Sequence, residues 1–347
     1  MGRKILWASL VLTPVAIAAR YAFHAGPTAL FIVAAVALIP LAWLIGESTE
    51  HAAEHTGSGV GGFLNASFGN APELIIALFA VSSGLPNVVR GTITGSVVSN
   101  ILLVLGAALI AGDGGRVDRR SLWLQLSTVG VATLLLLAPS IPGWHGSPDR
   151  HSLYVITVPL AAVFLIAYVA LTVHNLRVHG EAEREEAAEG SWSLAVALGV
   201  LGAATAATAI VSEAMVDSLE AFGHSVGLDE FFISAVIVAI VGNAAEHGGA
   251  IVISRRGNLK LATEIAITSS MQVLAFVAPA VALLSVAVGH GLPLSFRPVE
   301  IVTLAVATAA TGIVVANGRT SRAEGFALVA LYLAMAAAYF FSGNRAA

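Results

Sequence analysis

The sequence predicts an all-α polytopic membrane protein of about 11 transmembrane helices, two inverted five-helix repeats preceded by one extra N-terminal helix. Three observations carry that prediction. Apolar runs of roughly 18–25 residues, the length that crosses a bilayer as a helix, recur along the chain. The phrase Gly-Asn-x-x-Glu occurs inside two of them, as Gly69-Asn70-Ala71-Pro72-Glu73 and Gly242-Asn243-Ala244-Ala245-Glu246. Lysine and arginine fall unevenly on the two sides of the spans so defined.

Composition fixes the class. Hydrophobic residues make up 57% of the chain and charged residues 11%, where a soluble domain carries about a quarter charged. Cysteine is absent, which excludes disulfide scaffolds, thiolate metal sites and cysteine nucleophiles. A formal net charge of −4 without a basic stripe gives no nucleic-acid surface. Phosphate-binding loops are absent too, so ATP-driven pumping is unsupported and another ion gradient is the expected driving force.

The spans fall at 5–23, 27–46, 63–82, 89–111, 121–138, 153–173, 192–212, 231–253, 262–288, 298–316 and 325–341. Turn formers separate them, at Gly84-Leu85-Pro86-Asn87, Asp113-Gly114-Gly115, Pro142-Gly143 and Gly291-Leu292-Pro293. The first run is long for a signal peptide and no clear Ala-x-Ala site follows it, so it reads as a retained helix. The second continues past Gly46 as a polar helix carrying Glu47, Glu50 and Glu54. With the N-terminus in the cytoplasm, Arg3, Lys4, Arg116, Arg119, Arg120, Arg177, Arg184, Arg255, Arg256, Lys260, Arg319 and Arg322 lie on the cytoplasmic side. Arg20, Arg90, Arg150, Arg297 and Arg345 lie opposite, a split of 12 against 5 that sets the N-terminus inside and the C-terminus outside. The domains expected are a helix at 1–26, a five-helix repeat at 27–173, an acidic cytoplasmic linker at 174–191 and a second five-helix repeat at 192–347. The linker's acids at 181–189 read as a solvated segment, or as an acidic surface that senses a cation. Ala- and Gly-rich spans suit a bacterial cytoplasmic membrane.

Gly69 and Gly242 are 173 residues apart, and at that offset Glu47 falls on Glu220 and Gly84 on Gly257. A polar cluster follows each phrase, Thr94-Gly95-Ser96-Val97-Val98-Ser99-Asn100 in one half and Thr268-Ser269-Ser270-Met271-Gln272 in the other. Asn100 comes 27 residues after Glu73, and Gln272 comes 26 after Glu246. An odd number of spans per unit inverts one unit against the other, and inverted repeats place their site near the bilayer midplane, where the halves meet.

Ionised side chains among apolar residues are costly and mark function. Ca2+ takes six to eight oxygen ligands from carboxylates, amides, main-chain carbonyls and water. Glu73, Glu246, Asn70 and Asn243 form the candidate ligand set, joined by the carbonyl of Phe68, which Pro72 deprives of its helical N–H partner. Asn100, Gln272, Ser99, Ser270, His247, Glu50 and Glu213 are candidates for the ion path or its surroundings. Softer metals fit less well, for want of thiolates. Two carboxylates facing one cavity neutralise a dication and take up protons when it leaves, because the empty, doubly ionised pair is not tolerated in a low dielectric. No catalytic residue and no cofactor are expected. Ca2+ is the expected transported substrate, H+ its expected counter-ion, and the bilayer the expected surroundings; a homo-oligomer stays open.

At these residues the chain resembles the Ca2+/H+ antiporter (CAX) family of the cation/Ca2+ exchanger superfamily, over about residues 40–338. The stretches are NASFGNAPE at 65–73, GSVVSNILLVLG at 95–106, IVGNAAEH at 240–247, TSSMQVLAFVAP at 268–279 and GESTE at 46–50. The resemblance implies eleven helices, with an acidic segment joining two five-helix halves. It implies that Glu73 and Glu246 bind Ca2+ and protons alternately, that Asn70, Asn243, Asn100 and Gln272 help line the site, and that the chain exports cytoplasmic Ca2+ by alternating access. A Na+/Ca2+ exchanger of the same architecture is the rival; such proteins tend to carry an acid in the companion helices, where this chain has Asn100 and Gln272. A remote reading is a membrane metallohydrolase, because His51-Ala52-Ala53-Glu54-His55 matches the H-x-x-E-H order of inverted zinc peptidases.

Overall fold

The computed structural model describes residues 2–179 and 192–343. The acidic run at 181–189, with Arg184, and also Arg345 lie outside the described residues. The chain begins with α1 (Gly2–Ser9), α2 (Leu12–Tyr21), α3 (Pro27–Phe68), α4 (Ala71–Ser82), α5 (Pro86–Val98), a π-helical segment Ser99–Val104 and α6 (Leu105–Ala111). Strand β1 (Gly115–Arg116) precedes α7 (Arg119–Leu135), α8 (Leu137–Gly143) and α9 (His151–His179). The second half holds α10 (Leu194–Val226), α11 (Glu230–Phe232), a π-helical segment Ile233–Val238, α12 (Ala239–Gly242) and α13 (Ala244–Arg255). It ends with α14 (Leu259–Gln272), a π-helical segment Val273–Val277, α15 (Ala278–Leu284), α16 (Pro298–Val315), β2 (Arg319–Thr320) and α17 (Arg322–Ser342).

Helix predominates because backbone polar groups have no partner in lipid other than each other. Shifted by 173 residues, the bounds of α4 map onto those of α13 and those of α6 onto α15, while α5 maps onto α14 to within one residue at its end. The π-helical segment after α5 maps onto the one after α14 at its end and starts one residue earlier. The repeat seen in two short phrases is therefore a repeat of helices and helix breaks.

Among the described residues, nine helices are long and apolar enough to cross a membrane, and the pair Glu230–Gly242 and Ala244–Arg255, bent by 56°, forms a broken tenth span. The expected third span at 63–82 is not one helix. Its start belongs to α3, and the 12 residues of α4 are short of a crossing. Phe68 packs in one cluster with Leu44, Ile45, Leu201 and Ala204, whereas residues 44 and 68 of a straight helix would be about 36 Å apart. α3 therefore doubles back before its end and returns Phe68 to the level of Leu44.

The expected seventh span also changes. It stops at 212 in the sequence reading, but α10 runs on to Val226 and takes Glu213, Asp217 and Glu220 with it. Arg20 on α2 holds that stretch, 3.3 Å from Glu213 and 2.8 Å from Asp217. Other arginines assigned to the outer side are also paired, as buried cations must be. Buried Arg90 bonds Asp149 Oδ1 at 2.7 Å and the Pro293 carbonyl at 3.2 Å. Arg297 lies 3.6 Å from the centre of the Phe231 ring and 3.3 Å from Glu300.

Candidate cation site

Each Gly-Asn-x-x-Glu phrase breaks a helix. α3 gives way to α4 at Gly69-Asn70, and α12 to α13 at Asn243. The two asparagines adopt nearly the same backbone, φ −98° and ψ 14° at Asn70 against φ −93° and ψ 9° at Asn243. Each carbonyl opens the next helix, accepting from Leu74 N at 3.1 Å and from His247 N at 2.9 Å. Glu73 and Glu246 thus occupy the first turn, where free N–H groups and the helix dipole favour negative charge. The break corrects the expected role of Pro72. The proline stands in the first turn of α4, where no intrahelical donor is lost, so the Phe68 carbonyl is released by the end of α3.

The acid of the first half reaches the phrase of the second. Glu73 is buried, and a Cβ built on Gly242 would lie 3.3 Å from Glu73 Oε1. The carboxylate of the first half therefore touches the phrase of the second. Glu246 follows Gly242 by four residues, in the first turn of α13. Glu73 Oε2 is buried with no hydrogen-bond partner among the described residues. Glu246 Oε2 accepts a short bond from the Ser269 hydroxyl.

Amides lock this arrangement. Asn70 Nδ2 donates to Gln272 Oε1 at 2.9 Å. Asn243 Nδ2 donates to the Ala239 carbonyl at 2.9 Å and to Ser96 Oγ at 2.8 Å. That fixes Asn243 Oδ1 as an acceptor, and Asn100 Nδ2 donates to it at 3.3 Å and to Ser269 Oγ at 3.0 Å. Asn100 Oδ1 then accepts from His247 Nε2 at 3.0 Å. The amide orientations follow from the network, and Ser269, accepting from Asn100, has its proton directed at Glu246. Gln272 ends α14, and Asn100 is the second residue of a π-helical segment, a helix irregularity frequent at functional sites.

The predicted serines and the bound ones differ. Ser99 donates to the Ser96 carbonyl at 3.1 Å, and Ser270 to the carbonyls of Val97 at 3.3 Å and Ala266 at 3.2 Å, so both hydroxyls turn to main chain. The hydroxyls at the amides and the acid are Ser96 and Ser269. They were not singled out from sequence, although they stand 173 residues apart, the offset of the repeat. Glu50 is exposed, away from the buried acid, and Glu213 is engaged by Arg20. Neither joins the network. We expect Ser269→Ala to weaken Ca2+ binding about tenfold, the value of one hydrogen bond to a charged group, while Ser99→Ala and Ser270→Ala leave it near wild type. Calorimetric titration of the purified variants checks this.

The His51-x-x-Glu54-His55 segment does not assemble a metal centre. His51 lies 3.3 Å from Glu54 and 3.6 Å from Glu47, and its ring stacks on Trp192 at 4.6 Å. His55 Nε2 is 2.5 Å from the Trp192 carbonyl. Among the described residues no three His, Cys, Asp or Glu side chains are grouped to hold a metal ion. These side chains brace α3 against the start of α10. The donors at the phrases are oxygens, two of them carboxylate, with one carboxylate oxygen left unpartnered. That set suits a hard dication or protons.

A family profile described as "Sodium/calcium exchanger protein" matches residues 26–177 and 196–341. A Ca2+/H+ antiporter of Aphanothece halophytica is 31% identical over 97% of this chain and 96% of its own length. The Ca2+/H+ antiporter ChaA of Bacillus subtilis is 34% identical over 91% of this chain and 93% of its own. A crystal structure of the Ca2+/H+ antiporter protein YfkE is similar with a TM-score of 0.82 and 30% identity, covering 97% of this chain and 99% of that one.

Proposed function

We infer the activity from the family to which the chain belongs: it is a member of the sodium/calcium exchanger protein family. It works as a secondary antiporter, not an enzyme, exchanging Ca2+ for H+ by alternating access. The relatives named Ca2+/H+ antiporters support the choice of ions. The observation that carries the mechanism is buried Glu73 against the opposite phrase, one oxygen unpartnered.

Two carboxylates reach zero net charge with one Ca2+ or with two protons. Both loaded states cross a low-dielectric region at tolerable cost, whereas the empty, doubly ionised site does not. Exchange follows because only loaded states interconvert between the two sides. Asn70, Asn243, Asn100 and Gln272 tie the two phrases to the companion helices and offer amide oxygens. The companion positions are amides rather than acids, which supports protons over Na+ as the counter-ion.

Orientation follows from charge. Arg20, Arg90 and Arg297 are tied into ion pairs, so they contribute little to a surface signal. Exposed Arg116, Arg119, Arg120, Arg319 and Arg322 gather on the other side, which supports a cytoplasmic N-terminus and export of Ca2+ from the cytoplasm of a bacterial inner membrane. Proteoliposomes carrying either an inside-acid pH gradient or an outward Na+ gradient test the reading. Radiolabelled Ca2+ accumulates with the first. Accumulation with the second alone overturns proton coupling and returns the Na+/Ca2+ alternative.

A further inference from the structure

The pairing of Arg20, Arg90 and Arg297 contrasts with the arginines near the β1–β2 ribbon. Arg116, Arg119, Arg120 and Arg319 are exposed and make no ion pair among the described residues. The ribbon sets Arg116 directly opposite Arg319, a placement of like charges that is unfavourable without a counter-charge. Segments 113–120 and 317–324 hold five arginines and three acids, and each acid is already engaged. Asp118 caps α7 through Ser121 N at 3.2 Å and binds Lys260 at 3.0 Å. The Lys260 hydrogen bond, then that of Ser121, holds the Asp118 carboxyl below its ordinary range. Asp113 lies 3.9 Å from Arg322, and Glu324 accepts from Ser321 N at 2.7 Å.

An apolar groove opens beside this cluster. It measures about 530 Å³ and runs between α7 and α16, lined among others by Trp123, Leu126, Gly130, Thr308, Gly312 and Ala316. Arg119 and Trp123 are four residues apart and share a helix face, which Leu126 and Gly130 continue. A Cβ built on Gly318, just past α16, would lie 3.6 Å from Arg119 Cβ. The groove therefore has arginines at one end and about 16 Å of apolar helix leading away from them.

We propose that this groove binds an anionic phospholipid, its phosphate among Arg116, Arg119 and Arg319 and one acyl chain along Trp123, Gly130 and Gly312. Charge and shape each select part of that ligand. A neutral lipid fills the groove but leaves Arg116 facing Arg319. A free phosphate relieves that repulsion but leaves the groove unfilled. Basic pockets between membrane helices on the cytoplasmic side are suited to acidic head groups; only the choice of leaflet rests on the orientation proposed above.

The test uses the full chain in neutral detergent and fluorescence quenching by lipids with brominated acyl chains. The Trp123 contribution is the difference between wild type and Trp123→Phe. Brominated phosphatidylglycerol quenches it at lower concentration than brominated phosphatidylcholine, and inorganic phosphate at the lipid's concentration does not relieve the quenching. Arg119→Gln and Arg319→Gln each reduce the preference about fivefold. High salt reduces it in the wild type, a readout independent of whether a variant folds. Equal quenching by the two lipids, a preference that survives both substitutions and salt, or displacement by phosphate alone overturns the proposal. None of these readouts involves transport, so such a result leaves the exchange mechanism standing.

Discussion

Glu73→Gln and Glu246→Gln each abolish Ca2+-driven proton movement in vesicles while leaving the protein inserted and folded. The two losses share one cause. A unit charge near a cation is worth about 4 kcal/mol at 4 Å in an effective dielectric of about 20, and about twice that for a dication. Removing one carboxylate therefore lowers Ca2+ affinity by at least about a thousandfold. The remaining acid then faces a site that cannot balance two positive charges, and glutamine cannot carry the proton that returns. Folding is spared because glutamine has nearly the shape of glutamate and Glu73 Oε2 has no hydrogen bond to lose. Isothermal titration with Ca2+ and a pH-sensitive dye inside vesicles measure both effects. Retained proton movement in both variants removes the pair from the site.

Competition adds a pH dependence with a definite sign. Protons and Ca2+ occupy the same carboxylate oxygens, so acidification weakens Ca2+ binding and alkalinisation strengthens it. In the single glutamine variants one acid is gone, and the residual pH dependence is shallower than in the wild type.

Much of this was legible in the sequence because it depends on residue type. An acid and an amide repeated inside apolar runs have few uses other than holding a cation, and their offset announced two equivalent halves. What the sequence concealed was register. Periodicity of apolar residues does not reveal a π-helical segment, which widens a helix without changing its composition. The unequal spacings from Glu73 to Asn100 and from Glu246 to Gln272 give no sign of it, because both halves carry the segment. Asn100 lies within its π-helical segment and Gln272 just before its own, so the two amides are one step out of equivalence. Ser96 and Ser269, the hydroxyls at the network, keep the 173-residue offset, whereas Ser99 and Ser270 do not. Length was misread where charge entered a helix. The expected seventh span reaches only 212, but Arg20, distant in sequence, pairs with Glu213 and Asp217 as α10 continues through them. An arginine in one apolar run and acids in another were the available sign that the runs touch.

Gly95→Ala is expected to lower transport about a hundredfold, by geometry instead of charge. A Cβ on Gly95 would fall 2.0 Å from the Ala235 carbonyl oxygen and 2.6 Å from its carbon, both main chain in the π-helical segment before α12. No rotamer relieves such a contact, so α5 has to move off that segment by an ångström or more. Overpacking of this kind costs about 1–3 kcal/mol or more in stability. The larger consequence is at the site, because α5 also carries Ser96, whose hydroxyl is 2.8 Å from Asn243 Nδ2. An ångström of displacement there separates Asn243 from its partners and drops exchange about a hundredfold. Gly91, one turn earlier, supplies the control. Its Cβ would meet Ser234 Oγ at 2.1 Å and Phe231 no closer than 3.2 Å. Gly91→Ala should therefore be rescued in large part by Ser234→Ala, which removes the obstructing oxygen. No substitution at Ala235 rescues Gly95→Ala, since the obstruction is the peptide itself. Ca2+ uptake by the two single and two double variants, with thermal melting in detergent alongside, separates the cases. Wild-type uptake by Gly95→Ala would mean that α5 and the segment before α12 are not packed as closely as this contact requires.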